Sequence, residues 1–367
     1  MSSLITAVKQ QNIKKVHQHL DQMGQRGDYN QTALMLAAKL NFIEAVEILV
    51  QQPPQIKGFR ATFEVQSEPE IKLTDSNGLT ALMHAVQANN IDAAKILVKF
   101  ESNERDFSGL TALMQAAIRN LPAMCDILDS EANHQINGKT ALLMAVEQNS
   151  IDVLPALIPL EAGKFPHTSN VEFGPMAVFS KIQEFLNDGV IIKSRDILDK
   201  MNNQPKLWSA LMLAGVNGNI QMVQMLANKE KGMQCPCYGE TALMRVLACL
   251  GYFTNLIRVG QVAESTYDSL IKSYVQIALF LCEIDEEVTK QDKQGKSALM
   301  SAVMCWNYGY DIVLKLIPLE LNLVDQQGLT CAAYCCDDDK MLQILEAYIN
   351  EQQNKVDQKA VEVEQNQ

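Results

Sequence analysis

One block of sequence recurs along this chain and constrains what it can fold into. It reads Gly-x-Thr-Ala-Leu-Met. The best copies are Gly78–Met83, Gly109–Met114, Gly239–Met244 and Gly295–Met300, the last with Ser297 in place of Thr. Looser copies stand at Thr32–Met35, Gly138–Leu143, Ser209–Met212 and Gly328–Ala333. With each Thr or Ser as position zero, the successive gaps are 48, 31, 29, 69, 32, 56 and 33 residues. A recurring period of this size means supersecondary units that stack to share a core. The gap of 69 predicts a degenerate unit near Gly174–Val178, in the stretch Phe165–Pro205. The gaps of 48 and 56 each read as one unit plus an insertion.

The register extends beyond the block. Asn41, Asn89, Asn120, Asn149 and Gly218 stand nine residues on, where Asn and Gly tolerate the left-handed backbone that ends a helix. The Thr hydroxyl at zero can cap a helix N-terminus, so a first helix of about two turns follows each block. A second helix follows, with Ile43, Ile91, Ile151 and Ile220 at plus eleven and Leu49, Leu97, Leu128, Leu157 and Leu226 at plus seventeen. Such spacing gathers apolar residues on one face. Pro122 suits a helix start, and Pro155, deeper in its unit, should distort its helix. Asp75, Asp106, Asp292 and Asp325 at minus five, with Gly at minus two, form an Asp-x-x-Gly turn.

Turn, short helix, bend and longer helix together resemble the ankyrin repeat family. The family's block Gly-x-Thr-Pro-Leu-His appears here as Gly78-Leu79-Thr80-Ala81-Leu82-Met83, and Asn90-Ile91-Asp92 to Ile96-Leu97 matches its second helix. The resemblance covers residues 1 to about 350. The Ala-Leu-Met form is similar to that of ankyrin-only proteins of diplomonad protists. The resemblance implies an all-α ankyrin-repeat solenoid of about nine to ten helix-turn-helix units with short β-turn or hairpin tips. Histidine of the family block is replaced by Met35, Met83, Met114, Met212, Met244 and Met300, and by Leu143 in one unit. The layer between repeats should therefore be apolar, filled by adaptable thioethers.

Residues 1–27 read as a polar-faced N-terminal cap, which a repeat array needs at its ends. Residues Met341–Ile349 close the other end. The Glu-, Gln- and Lys-rich residues 351–367 read as a tail without an apolar face. The insertion at about 51–73 contains Pro53-Pro54 and Gly58 and reads as a long loop. The one at about 252–272 carries Leu256, Ile257, Leu270 and Ile271 and reads as an extra helix between the two helices of its unit.

Chemistry is sparse. The sequence holds no GxGxxG, GxxxxGK[ST], HExxH or GxSxG motif. Cys235-Pro236-Cys237 lacks the further pair or histidine that a zinc site needs, and Asp337-Asp338-Asp339 lacks the spaced ligands of a calcium loop. No cofactor or metal is expected, and a small-molecule ligand is disfavoured. The formal charge of −12 comes without a basic cluster, which disfavours nucleic acid. No apolar run reaches the roughly 20 residues that span a bilayer. No signal peptide is visible. Nine cysteines at irregular spacing suit reduced thiols in the cytoplasm.

In the resembling family, partners meet the turn tips and the exposed side of the first helices. Those tip positions are Phe107, Ile136, Tyr238, Lys293 and Gln326. The helix positions are His84, Gln87, Gln115, Arg119, Met144, Glu147, Gln148, Arg245 and Met304, with Trp306 and Tyr308 just beyond. The expected function is a non-enzymatic scaffold or adaptor that binds other proteins. The alternatives are a regulatory or targeting subunit of an enzyme such as a protein kinase and, behind it, a divergent enzyme using an insertion.

Overall fold

The computed structural model describes residues 2–51, 70–165, 208–260, 263–335 and 338–365. The degenerate unit expected near Gly174–Val178 and most of the first insertion lie outside these residues. The chain divides into two compact units, Met1–Glu161 and Ala162–Gln367.

The first unit is a row of helix pairs. These are α1 (Ser3–Lys9) with α2 (Ile13–Gln18), α3 (Ala33–Lys39) with α4 (Ile43–Val50), α5 (Ala81–Gln87) with α6 (Ile91–Glu101), α7 (Ala112–Ile118) with α8 (Pro122–Cys125), and α9 (Ala141–Glu147) with α10 (Leu154–Glu161). First helices pack on first helices along the row, and second on second. The second unit pairs α11 (Ala210–Val216) with α12 (Ile220–Glu230), α13 (Ala242–Arg258) with α14 (Glu264–Leu281), and α15 (Ala298–Ala302) with α16 (Tyr310–Glu320). It ends in α17 (Asp339–Gln365). Among the described residues the only β pairing is two isolated bridges at turn tips, Ile136 with Lys139 and Gln291 with Ser297.

Local chemistry sets the boundaries of these helices. The hydroxyls of Thr32, Thr80, Thr111, Thr140, Ser209, Thr241 and Ser297 each accept the N–H three residues on, capping α3, α5, α7, α9, α11, α13 and α15. Asn41, Asn89, Asn120, Asn149 and Gly218 then adopt left-handed backbone with φ between +53° and +72°, ending the first helix and turning the chain into the second. Pro122 opens α8. Pro155 acts differently from expectation: α10 begins only at Leu154, so the proline sits in its first turn, where no N–H is missed. The block methionines Met35, Met83, Met114, Met212, Met244 and Met300, with Leu143, are all buried in the layer between helices.

A row of carboxylates holds this layer together. Glu101 is buried at the N-terminus of α5. One oxygen accepts from the Leu82 N–H at 2.7 Å, and the other from the Lys72 N–H at 2.9 Å. The Thr80 hydroxyl also bonds the carboxylate. The same double contact recurs at Glu70 with Leu34 and Gly24, Glu131 with Leu113 and Asn103, and Glu161 with Leu142 and Asn133. In the second unit it recurs at Glu230 with Leu211 and Gly163, Glu287 with Leu243 and Gly232, and Glu320 with Leu299 and Thr289. The second donor of each pair, from Gly24 through Thr289, has positive φ, which turns its N–H toward the carboxylate. In the N-terminal cap Gln22 takes the glutamate's place, accepting from Ser2 Oγ and the Leu4 N–H.

Two expectations about added segments are revised. The second insertion adds no separate helix; it lengthens both helices of its unit, to 17 residues in α13 and 18 in α14. Phe253 of α13 stacks against Tyr274 of α14 with ring centroids 5.9 Å apart, and the Tyr274 hydroxyl donates to the Val216 carbonyl at 2.7 Å. Residues 351–365, expected as a tail, continue α17 as helix. In the last repeat, Glu351 stands 21 residues after Thr330, yet it pairs with Lys355 on the surface. No carboxylate among the described residues caps the Thr330 block there. Its first helix shrinks to the 3-10 turn Cys331–Tyr334.

Candidate partner-binding surface

Four residues after the block Thr of their repeats stand His84, Gln115, Met144 and Arg245, each expected on a partner-facing side. His84 and Gln115 are instead held by the turn of their own repeat, as is Tyr334 at the same offset from Thr330. His84 Nε2 donates to Asp75 Oδ2 at 3.1 Å, Gln115 Nε2 to Asp106 Oδ2 at 2.9 Å, and the Tyr334 hydroxyl to Asp325 Oδ2 at 2.6 Å. The other carboxylate oxygen of each aspartate accepts two backbone N–H groups of the turn, as Asp75 does from Asn77 and Leu79. His84 is only 5% exposed, and Met144 at the same position is 7% exposed. The placement of His84, Gln115 and Met144 on an exposed face is thus corrected: they lie inside the stack because the turn folds over the helix start. Burial pushes the His84 imidazole below its ordinary range, although the Asp75 carboxylate pulls it upward.

Gln87, Arg119 and Gln148, at the ends of the first helices, are exposed. The Gln87 amide donates to Gln115 Oε1 at 3.2 Å, linking adjacent repeats. Glu147 is half-buried and ion-paired with Lys139 at 2.8 Å.

The tips form their own row. Phe107 is 75% exposed, yet its backbone and ring cover Gly78, where an added Cβ would lie 2.6 Å from the Phe107 nitrogen. Ile136 covers Gly109 with its side chain alone, and the Lys293 backbone and side chain cover Gly239. Backbone N–H groups join successive tips: Phe107 donates to Asn77, Lys293 to Tyr238 and Gln326 to Gln294. Lys293 and Gln326 are exposed and Tyr238 is half-buried. Phe107, Lys293 and Gln326 thus join their backbone to the preceding tip and keep exposed side chains, whereas Ile136 and Tyr238 are half-buried.

In the second unit, three of the expected residues line one cavity. Arg245, Met304 and Trp306 meet Ala248, Tyr252 and Arg258 of the lengthened α13 around a volume of about 530 Å³. Arg245 is ion-paired with Glu240 and lies 5.1 Å from the ring centre of Trp208. Trp306 interrupts the segment after α15 with φ 49° and ψ −145°. The gap of 56 residues marked this region, but Ala248, Tyr252 and Arg258 were not singled out, because insertion lengths do not say which helix they extend.

Among the described residues no three His, Cys, Asp or Glu side chains gather as a metal site, and no helix is long and apolar enough to cross a membrane. Cys235 is buried and Cys237 half-buried at the turn before α13.

Paired short helices, turn tips joined by backbone hydrogen bonds and a shared apolar layer define a helical-repeat protein. The family model for ankyrin repeats (3 copies) matches residues 55–133, and the chain carries ankyrin repeats there. Such repeats generally mediate protein–protein interactions, and the family is typically non-enzymatic. No curated protein matches the chain, so the likeness to diplomonad ankyrin proteins rests on the Ala-Leu-Met block alone.

Proposed function

We propose that the protein is a non-enzymatic cytoplasmic scaffold or adaptor that binds other proteins through its turn tips and first-helix ends. The observation that carries this reading is a division of labour among side chains. The block residues are consumed by caps, turns and the apolar layer. Gln87, Phe107, Arg119 and Gln148 in the first unit, and Lys293, Met304 and Gln326 in the second, reach outward from the same two kinds of position. A surface already fixed by the stack binds with little ordering cost, and aromatic and Arg side chains supply the strongest interface contacts.

Lysine-reactive cross-linking of the full chain with proteins that co-purify with it tests the reading. Lys293 stands at a tip, whereas the exposed Lys95 and Lys315 lie on second helices. Cross-links or protection at Lys293, with Lys95 and Lys315 unchanged, is the expected result. The reverse pattern would move the interface to the second helices and overturn the reading.

A further inference from the structure

The Thr330 repeat departs from the others at one position of its second helix. Elsewhere a buried glutamate ties the end of that helix back to the block, and two buried side chains precede it by eight and four residues. These are Ala93 and Leu97 before Glu101, Met222 and Leu226 before Glu230, and Ile312 and Leu316 before Glu320. On α17 the corresponding buried pair is Met341 and Leu345, which puts Ile349 in the glutamate's place. Ile349 is 46% exposed, and its side chain cannot accept a hydrogen bond.

The donors that a glutamate would engage are present and idle. In other repeats the second donor stands two residues after the preceding repeat's glutamate, as Lys72 follows Glu70, Asn103 follows Glu101 and Asn133 follows Glu131. By that count the Thr330 repeat would use Asn322, two residues after Glu320, together with the Ala332 N–H. Neither N–H has an acceptor among the described residues. Asn322 lacks the positive φ that Asn103 and Asn133 adopt, and the Thr330 hydroxyl makes no cap. A cavity of about 560 Å³ lies among Ile317, Asn322, Thr330, Ala332, Leu345 and Ile349. The tip of this repeat is equally unsupported. An added Cβ at Gly328 would meet nothing within 4 Å, whereas Gly78, Gly109, Gly239 and Gly295 are each covered by the following tip.

A repeat in such an array is held by its own internal contacts and by its neighbours. One that lacks its internal tie opens at a lower free energy than the rest. We propose that the Thr330 repeat, with α17, is a releasable segment that opens while the repeats before it stay closed, because Ile349 replaces the glutamate that ties the others.

Hydrogen exchange followed by mass spectrometry on the full-length protein tests it. Peptides covering residues 331–335 and 339–350 should exchange at least about tenfold faster than those covering α16. Ile349→Glu supplies the missing carboxylate and should slow the same peptides about tenfold, with α5 and α6 unchanged. Ile349→Ala removes the side chain without supplying an acceptor and should not slow them. Circular dichroism checks that both variants fold, and the wild-type comparison stands if either does not. Three results each overturn the proposal. They are wild-type exchange in α17 as slow as in α16, unchanged or faster exchange in folded Ile349→Glu, and equal slowing in Ile349→Ala.

Discussion

A carboxylate taken from water into a protein interior is tolerated only when donors replace its lost hydration. Glu101 meets that condition with two backbone N–H groups and the Thr80 hydroxyl. Burial still pushes the carboxyls of Glu70, Glu101, Glu131, Glu230 and Glu287 above the usual range, while the donors hold them down. Removing the group leaves Leu82 and Lys72 N–H groups without acceptors. Glu101→Ala should cost about 2–3 kcal/mol in a denaturant titration, and Lys95→Ala on the surface less than about 0.5 kcal/mol. His84 gives a pH test. Its folded-state pKa lies below the unfolded value, so the unfolded chain takes up a proton first as pH falls. Stability should therefore be fully present above the ordinary histidine range near pH 6.5 and decline below it. Thermal melts between about pH 7.5 and 5 should show a smaller decline in His84→Gln, since Gln115 makes the equivalent bond one repeat on. Equal slopes would show that His84 does not titrate with folding. The caps, turns and left-handed Asn positions were legible because each depends on a residue type at a fixed offset. The buried glutamates were not, because a Glu near plus 21 reads as surface, and the backbone N–H groups that satisfy it leave no mark in the sequence.

At the scale of elements, the turn tip is the most demanding. Gly78 has φ +80° and touches the Phe107 backbone, so a side chain there meets both strain and collision. Gly78→Ala should lose about 1–3 kcal/mol, measured against Gly260→Ala, which has similar φ and open space around it. A similar loss in both would place the cost in backbone conformation alone. The long pair α13–α14 is secured by Tyr274, whose hydroxyl reaches back to the Val216 carbonyl. Tyr274→Phe should therefore cost about 1 kcal/mol by denaturant titration, with binding surfaces intact. That the insertion would extend two helices could not be read from its apolar residues, since a continuous helix and a separate one share the same periodicity. The short turn at Cys331–Tyr334 makes the converse point: with neither a side-chain cap from Thr330 nor a carboxylate docked at its block, that first helix is reduced to a single 3-10 turn.

Across the whole molecule, the residues that make the repeat recognisable are committed to holding it together. His84 and Gln115 stand at the offset the family resemblance implies, yet their side chains turn inward onto Asp75 and Asp106. Phe107, Lys293, Met304 and Trp306 remain on surfaces that a partner could meet. The central claim is therefore a separation between residues that fold the stack and residues that recognise a partner. Its most direct test is a paired scan of single substitutions in the full-length chain, reading folded abundance and partner binding for each. The account predicts that Glu101→Ala, Glu131→Ala, Thr80→Ala and Gly78→Ala lower abundance, and that Arg119→Ala, Lys293→Ala and Met304→Ala lower binding with abundance unchanged. Binding that follows abundance across both groups, or outward substitutions that leave binding untouched, would contradict it.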